Sequence, residues 1–175
     1  MDAYEAVATK LETNEFDSKK PVPKDVKVKV LDAARMTASG MNSQHWRFIL
    51  VQDPGDLKML AGDSVTGPWV AGANFAVIVL TDPSKPFHQI DAGRAVQDMQ
   101  VVAWSFGVGS RVYTGINEQK MRKDFGIPSN LEITIIVGFG YPAKKVTGKR
   151  KNRKPIEEIA YLEKYGNRLD QSKIS

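Results

Sequence analysis

Helical and extended segments that interleave without regular strand–helix alternation predict an α+β fold. Three stretches carry that reading. Residues 75–80 (FAVIVL) form an unbroken apolar run, the pattern of a short strand covered on both faces, and residues 131–137 (LEITIIV) form a second β-prone run. Residues 91–106 have helical length, with Ala92, Ala95, Val96, Met99, Val102, Ala103 and Phe106 at periodic positions.

The remaining elements follow in order. Tyr4, Val7, Ala8 and Leu11 share one face of an N-terminal helix that ends before Asn14. Pro23 suits the first turn of a second helix, whose Val26, Val30, Leu31 and Ala34 line up. Residues 46–51 read as a short strand, 54–61 as a brief helix, 117–125 as a polar helix and 155–161 as a last helix before a polar tail. The second half of the 91–106 helix, MQVVAWSF, is apolar almost all round, so its own fold or a partner subunit must enclose it. A chain of 175 residues without repeats or a dividing linker reads as one domain over 1–175, with its core over about 3–162 and a tail over 163–175.

Composition narrows the chemistry. There is no cysteine, which excludes disulfides, thiolate metal sites and thiol nucleophiles and suits a reducing compartment. No signal-peptide pattern opens the chain, and no apolar run approaches the roughly 20 residues of a bilayer span, so a cytoplasmic protein without membrane partners is expected. The net charge of +5 is local: seven basic residues and no acid lie between Lys144 and Lys154, and the rest is mildly acidic. So short a basic segment is weak evidence for a nucleic-acid surface, and nucleic acid is not an expected partner.

Residues 37–48, TASGMNSQHWRF, are the most informative for function. They leave a helix and enter a strand through Ser39, Gly40, Asn42, Ser43 and Gln44, which offer donors, acceptors and close backbone approach at Gly40. Two readings stand side by side: a loop that reads the polar edge of a flat heteroaromatic ring, or a helix cap followed by a turn.

The run from Ala38 to Ile49 resembles the signature of the nitroreductase family, in which a helix ends in Pro-Ser-x-x-Asn-x-Gln-Pro-Trp and runs into a strand. Four further segments resemble that family in order. Residues 8–16 occupy the place of its basic phosphate motif; Asp91-Ala92-Gly93-Arg94-Ala95 with Gln97 is similar to the start of its long interface helix. Gly107-Val108-Gly109-Ser110 with Tyr113-Thr114-Gly115 resembles the segment beside the flavin, and Lys151-Asn152-Arg153-Lys154-Pro155 resembles its Lys-x-Arg-x-Pro.

The resemblance implies a largely antiparallel, mixed sheet flanked by helices on both faces, in an intertwined homodimer whose subunits share two FMN sites. It assigns cofactor contacts to Lys10, Glu12 and Asn14, to Ser39, Gly40, Asn42 and Gln44, and to Lys151 and Arg153 at the phosphate. The backbone of Thr114 and Gly115 would stand beside the reactive ring nitrogen. The implied activity is ping-pong hydride transfer from NAD(P)H through FMN to a small acceptor such as a nitroaromatic or quinone.

Departures from the family pattern sharpen the expectations. Glu12 is expected to point away from a phosphate or to pair with Lys10, and Asn14 stands where a cation is usual, which should make flavin reduction harder. His45 replaces a common proline, either as a titrating group near the site or as a hydrogen-bonded histidine without catalytic duty. About nine residues separate the strand ending near Thr81 from the helix beginning at Asp91, too few for the helical lid of longer members. An open flavin face follows, with Trp69, Phe87 and Tyr113 as candidates for the remaining wall. A flavin-binding protein with a carriage or sensing role is the alternative function, and a small basic nucleic-acid binder is a third.

Overall fold

The computed structural model describes residues 1–144, 146 and 151–174. Its central strand is β2 (Phe75–Thr81), buried along its whole length. Phe75, Val77 and Val79 face one helical layer and Ala76, Ile78 and Leu80 the other, which is why this run is apolar without alternation. Strand β1 (Arg47–Val51) pairs with one side of β2 and β4 (Glu132–Gly140) with the other, while β3 (Gly109–Tyr113) lies beyond β4. The order is β1-β2-β4-β3 and all three pairings are antiparallel, as expected of a largely antiparallel sheet. Among the described residues, the parallel component is one bridge between Glu12 and Ser110 at the β3 edge.

Helices cover both faces. On one, α2 (Lys24–Met36) and α4 (His88–Ser105) bring Val26, Val30, Ala34, Ala95 and Met99 onto Phe75 and Phe139, whose rings stack with centroids 4.7 Å apart. On the other, α3 (Pro54–Gly62), the 3-10 turn Pro68–Gly72 and α5 (Glu118–Asp124) bury Leu57, Leu60, Val70 and Met121 against Ala76, Ile78 and Ile136. Each large side chain so buried contributes about 1.5–3 kcal/mol. Local signals set the boundaries: Asp53 accepts from the N–H groups of Gly55 and Asp56 to start α3, and Asn117 accepts from the Lys120 N–H to start α5. Helix α4 stops at Phe106, where Gly107 turns the chain at φ +74°.

The N-terminal helix, β3 and the last helix differ from the sequence expectations. Helix α1 (Ala3–Thr9) buries Ala6 and leaves Tyr4 84% exposed, so its apolar stripe points away from the rest of the chain. Trp104 Nε1 donates to Thr9 Oγ1 at 2.9 Å, which ties the other side of α1 to α4. The apolar second half of α4 is mostly enclosed by its own chain, with Met99, Gln100, Ala103 and Trp104 buried and Val101 and Val102 half-buried. Strand β3 follows from no apolar run. The helix expected over 155–161 is a single turn, α6 (Ile156–Ile159). Among the described residues, no helix is long and apolar enough to cross a membrane.

Candidate functional site

The loop after α2 is held in an unusual backbone shape. Met41, Asn42 and Gln44 have φ of 53°, 54° and 45°, conformations in which Asn is tolerated and Met is rare. Ser39 Oγ accepts the Gln44 N–H at 3.0 Å, and the Asn42 N–H donates to the Ser39 carbonyl at 2.9 Å. Gln44 Nε2 donates to Asn42 Oδ1 at 3.3 Å. The structure therefore gathers Ser39, Gly40, Asn42 and Gln44 into one polar turn.

Asp91, on the first turn of α4, holds this turn. Its Oδ2 accepts the Gly40 N–H at 2.9 Å and lies 3.2 Å from His45 Nε2. Both side chains are nearly inaccessible, at 2% for Asp91 and 1% for His45, and Arg94 approaches the second carboxylate oxygen at 3.7 Å. With Nε2–H directed at Asp91, the other ring nitrogen, Nδ1, is buried without a partner. His45 is thus the hydrogen-bonded histidine, and its ring tethers the loop to α4. Sequence pattern named Asp91 only as the start of a motif; its contact to Gly40 spans 51 positions, which no local signal reveals.

A second group assembles along the β3 edge. Lys10 is buried and its Nζ donates to the Glu12 carboxylate, one of the two arrangements expected of Glu12. Gln100 Nε2 donates to Ser110 Oγ at 3.0 Å and reaches Glu12 Oε1 at 3.4 Å. Lys151 donates to the Val7 carbonyl, and burial together with the charges of Arg153 and Lys10 holds its amine below the usual lysine range. Lys151 therefore lies within electrostatic reach of Lys10, Arg153 and Glu12. Asn14 is exposed. Lys144, by contrast, makes a surface pair with Glu15 at 2.7 Å, and Lys145, Lys149 and Arg150 lie outside the described residues.

Beyond the end of β3, Thr114 is exposed and Gly115 half-buried. The Gly115 N–H donates to Thr66 Oγ1 at 3.1 Å, and its carbonyl accepts the Val65 N–H at 2.7 Å. A side chain at Gly115 would meet Thr66 Oγ1 at 2.6 Å, so this turn requires glycine. Asp63, fully buried, braces it from behind through Lys120 and through its carbonyl, which accepts the Asn117 N–H at 2.7 Å. Burial, with the charge of Asp63, raises the Tyr113 hydroxyl far above its ordinary range. Tyr113 packs edge-on against Trp69 at 5.6 Å between centroids, so both rings serve packing, whereas Phe87 is 57% exposed. Thr66 and Asp63 were not singled out in the sequence.

The polar turn leads into β1 and the Lys10–Thr114 group flanks β3, so they occupy opposite edges of the sheet. Three strand spacings, about 14 Å, separate those edges.

Comparison with known proteins gives a consistent picture. The family model described as "Nitroreductase family" matches residues 13–66 and 61–141. A protein from Archaeoglobus fulgidus, provisionally named an NADH dehydrogenase/NAD(P)H nitroreductase, is 32% identical over 124 residues, 65% of this chain and 71% of the relative. An iodotyrosine deiodinase from Thermotoga neapolitana is 24% identical over 164 residues, 79% of this chain and 88% of that one. Among solved structures, an FMN-dependent nitroreductase from Clostridium difficile superposes with a TM-score of 0.82 at 20% identity, covering 91% of this chain and 98% of the other.

Proposed function

The chain belongs to the nitroreductase family, and from that premise we propose that it is an FMN-dependent oxidoreductase that passes hydride from NAD(P)H to a small oxidised acceptor, a nitroaromatic or quinone, by a ping-pong mechanism. When bound, FMN supplies the hydride chemistry. The chain's own residues bind and orient it. Lys10, Lys151 and Arg153, close enough for their charges to act on one another at Lys151, offer three cations to a phosphate, which suits charge-assisted hydrogen bonding. Ser39, Asn42 and Gln44 offer amide and hydroxyl groups to a ring edge, while Gly40 is engaged by the Asp91 carboxylate and the Phe87 ring. The exposed Thr114 backbone carries the role beside the reactive ring nitrogen, since the Gly115 N–H is held by Thr66.

One observation carries the reading furthest: the two residue sets lie at opposite edges of the sheet. A second copy of the chain brings the Ser39–Gln44 turn of one protomer to the Lys10–Thr114 edge of the other, which makes the functional unit a homodimer. The exposed apolar face of α1, with Tyr4 and Val7, suits burial against that copy. The test is whether purified protein carries FMN and oxidises NADH or NADPH only when a quinone or nitroaromatic is supplied. A carriage or sensing role is favoured by one feature, the hold of Glu12 on Lys10 at the phosphate end; bound FMN without acceptor-dependent NAD(P)H oxidation would support that role instead.

A further inference from the structure

Asp63 is a buried charge that the packing of its helix does not call for. It closes α3, where its N–H donates to the Met59 carbonyl at 3.0 Å, and its side chain is fully inaccessible. One carboxylate oxygen takes the Lys120 ammonium of α5. The other, Oδ2, is buried and has no hydrogen-bond partner among the described residues. An interior carboxylate is costly unless both oxygens are served, and a buried polar atom left without a partner asks for a reason beyond packing.

The reason is visible in what residue 63 and its successors hold. The Asp63 carbonyl accepts the Asn117 N–H at 2.7 Å, Ser64 bridges Ile116, and the Gly115 carbonyl accepts the N–H groups of Val65 at 2.7 Å and Thr66 at 3.2 Å. Thr66 Oγ1 in turn accepts the Gly115 N–H at 3.1 Å. On the other side of Thr114 the Tyr113 ring is pinned: a Cβ on Gly67 would meet it at 2.5 Å, and Trp69 lies edge-on against it. Residues 63–69 therefore grip the neighbours of Thr114 on both sides, while Thr114 itself stays exposed. The Asp63–Lys120 pair anchors this clamp, because it joins the end of α3 to α5 directly behind the turn.

We propose that Asp63 and Thr66 are positioning residues: they fix the Thr114 peptide beside the reactive ring nitrogen, and through it they set how strongly the protein favours oxidised over reduced flavin. The proposal rests on the flavin reading above. A backbone N–H serves that nitrogen only in the oxidised ring, where the nitrogen accepts; in the reduced ring it carries its own hydrogen. Misplacing the N–H therefore weakens the oxidised complex and leaves the reduced one alone.

The experiment titrates wild type, Asp63→Asn, Thr66→Val and Thr66→Ser with oxidised FMN by fluorescence quenching. The midpoint potential of bound FMN, read against a reference dye, then gives the affinity for the reduced form. Asp63→Asn and Thr66→Val should each raise the Kd for oxidised FMN roughly three- to tenfold, the value of one neutral hydrogen bond, with the Kd for reduced FMN within about twofold of wild type. A tenfold change in that ratio is read as a potential raised by about 30 mV for a two-electron couple. Thr66→Ser keeps the hydroxyl and should keep the wild-type values. Leu57→Val, in the same apolar layer, is the structural comparison: it should lower the melting temperature and leave the ratio of the two Kd values alone. If Asp63→Asn does not fold, Thr66→Val decides, because its position is exposed. The proposal is overturned by an unchanged ratio in the folded variants or by a ratio that Leu57→Val moves equally. Tighter binding of oxidised FMN by Thr66→Val, with the freed Gly115 N–H as the donor, would overturn it too. Wild type that binds FMN in neither form would overturn the flavin reading and this proposal with it.

Discussion

One carboxylate oxygen of Asp91 serves both the Gly40 N–H, at 2.9 Å, and the His45 ring, whose Nε2 lies 3.2 Å away. Proline, usual in the family at the position of His45, restricts a loop through its fixed φ. Here a side-chain hydrogen bond to α4 performs that restriction, in a pocket where both partners are almost fully buried.

Asp91→Asn keeps the shape and removes the charge from both bonds. Hydrogen bonds to a charged group contribute about 1.5–3 kcal/mol each, and a buried donor left unpaired adds its desolvation cost. Urea denaturation should show a loss of about 1.5–3 kcal/mol with an unchanged m-value. A midpoint equal to wild type would mean the pair does not hold the loop.

Glu12→Gln should tighten FMN binding. In the free protein the Glu12 carboxylate occupies Lys10, and its negative charge stands among the cations assigned to the phosphate. Removing that charge leaves Lys10 with one fewer competing partner, so the Kd for FMN should fall severalfold by fluorescence quenching. An affinity unchanged or weakened would show that Glu12 orients Lys10 productively.

Arg153→Ala should weaken FMN binding roughly ten- to a hundredfold, the value of one hydrogen bond to a charged group. Lys144→Ala should leave it unchanged, because Lys144 is an exposed side chain engaged with Glu15. Equal effects of the two substitutions would mean that only general positive charge matters.

Much of this arrangement was legible in the sequence. Runs such as 75–80 and the polar helix expected over 117–125 announced their elements because the signals are local. Strand β3 was not, since Gly109, Ser110 and the exposed Arg111 and Val112 hide any apolar alternation. Nor were the residues that hold the site: Asp91 reaches Gly40 across 51 positions and Thr66 reaches Gly115 across 49, and tertiary contacts of that span leave no periodic trace. The all-round apolarity of α4 asked for enclosure by its own fold or by a partner; α2, α1 and the sheet enclose most of it, so the case for a second copy rests on the exposed Tyr4 and Val7 and on the divided site.

Lys151 gives the site a pH signature. Burial and the charges of Arg153 and Lys10 lower its pKa in the free protein. A bound phosphate opposes that shift, so the pKa in the complex lies above that of the free protein. The contribution of Lys151 is then fully present below the free-state pKa and is lost as pH rises through the bound-state value. FMN affinity should decline with rising pH earlier than an ordinary lysine would dictate, and Lys151→Arg should flatten that decline. A profile identical in wild type and Lys151→Arg would remove Lys151 from the phosphate site.

The divided site makes the dimer testable without a structure of it. If each FMN is held by the Ser39–Gln44 turn of one protomer and the Lys10–Arg153 edge of the other, Asn42→Ala and Arg153→Ala damage different halves of the same site. Each variant alone gives a homodimer with two damaged sites. In a mixed dimer, isolated through two different affinity tags, one site receives both substitutions and the other receives neither. Titration should therefore find one FMN per mixed dimer bound with wild-type affinity, and light scattering should give the mass of two chains. A site confined to one protomer predicts instead that both positions in the mixed dimer are weakened, each like its parent. A monomer that binds FMN as tightly as the dimer would be equally decisive, because the distance across the sheet, about 14 Å for three strand spacings, would then have to be bridged within one chain.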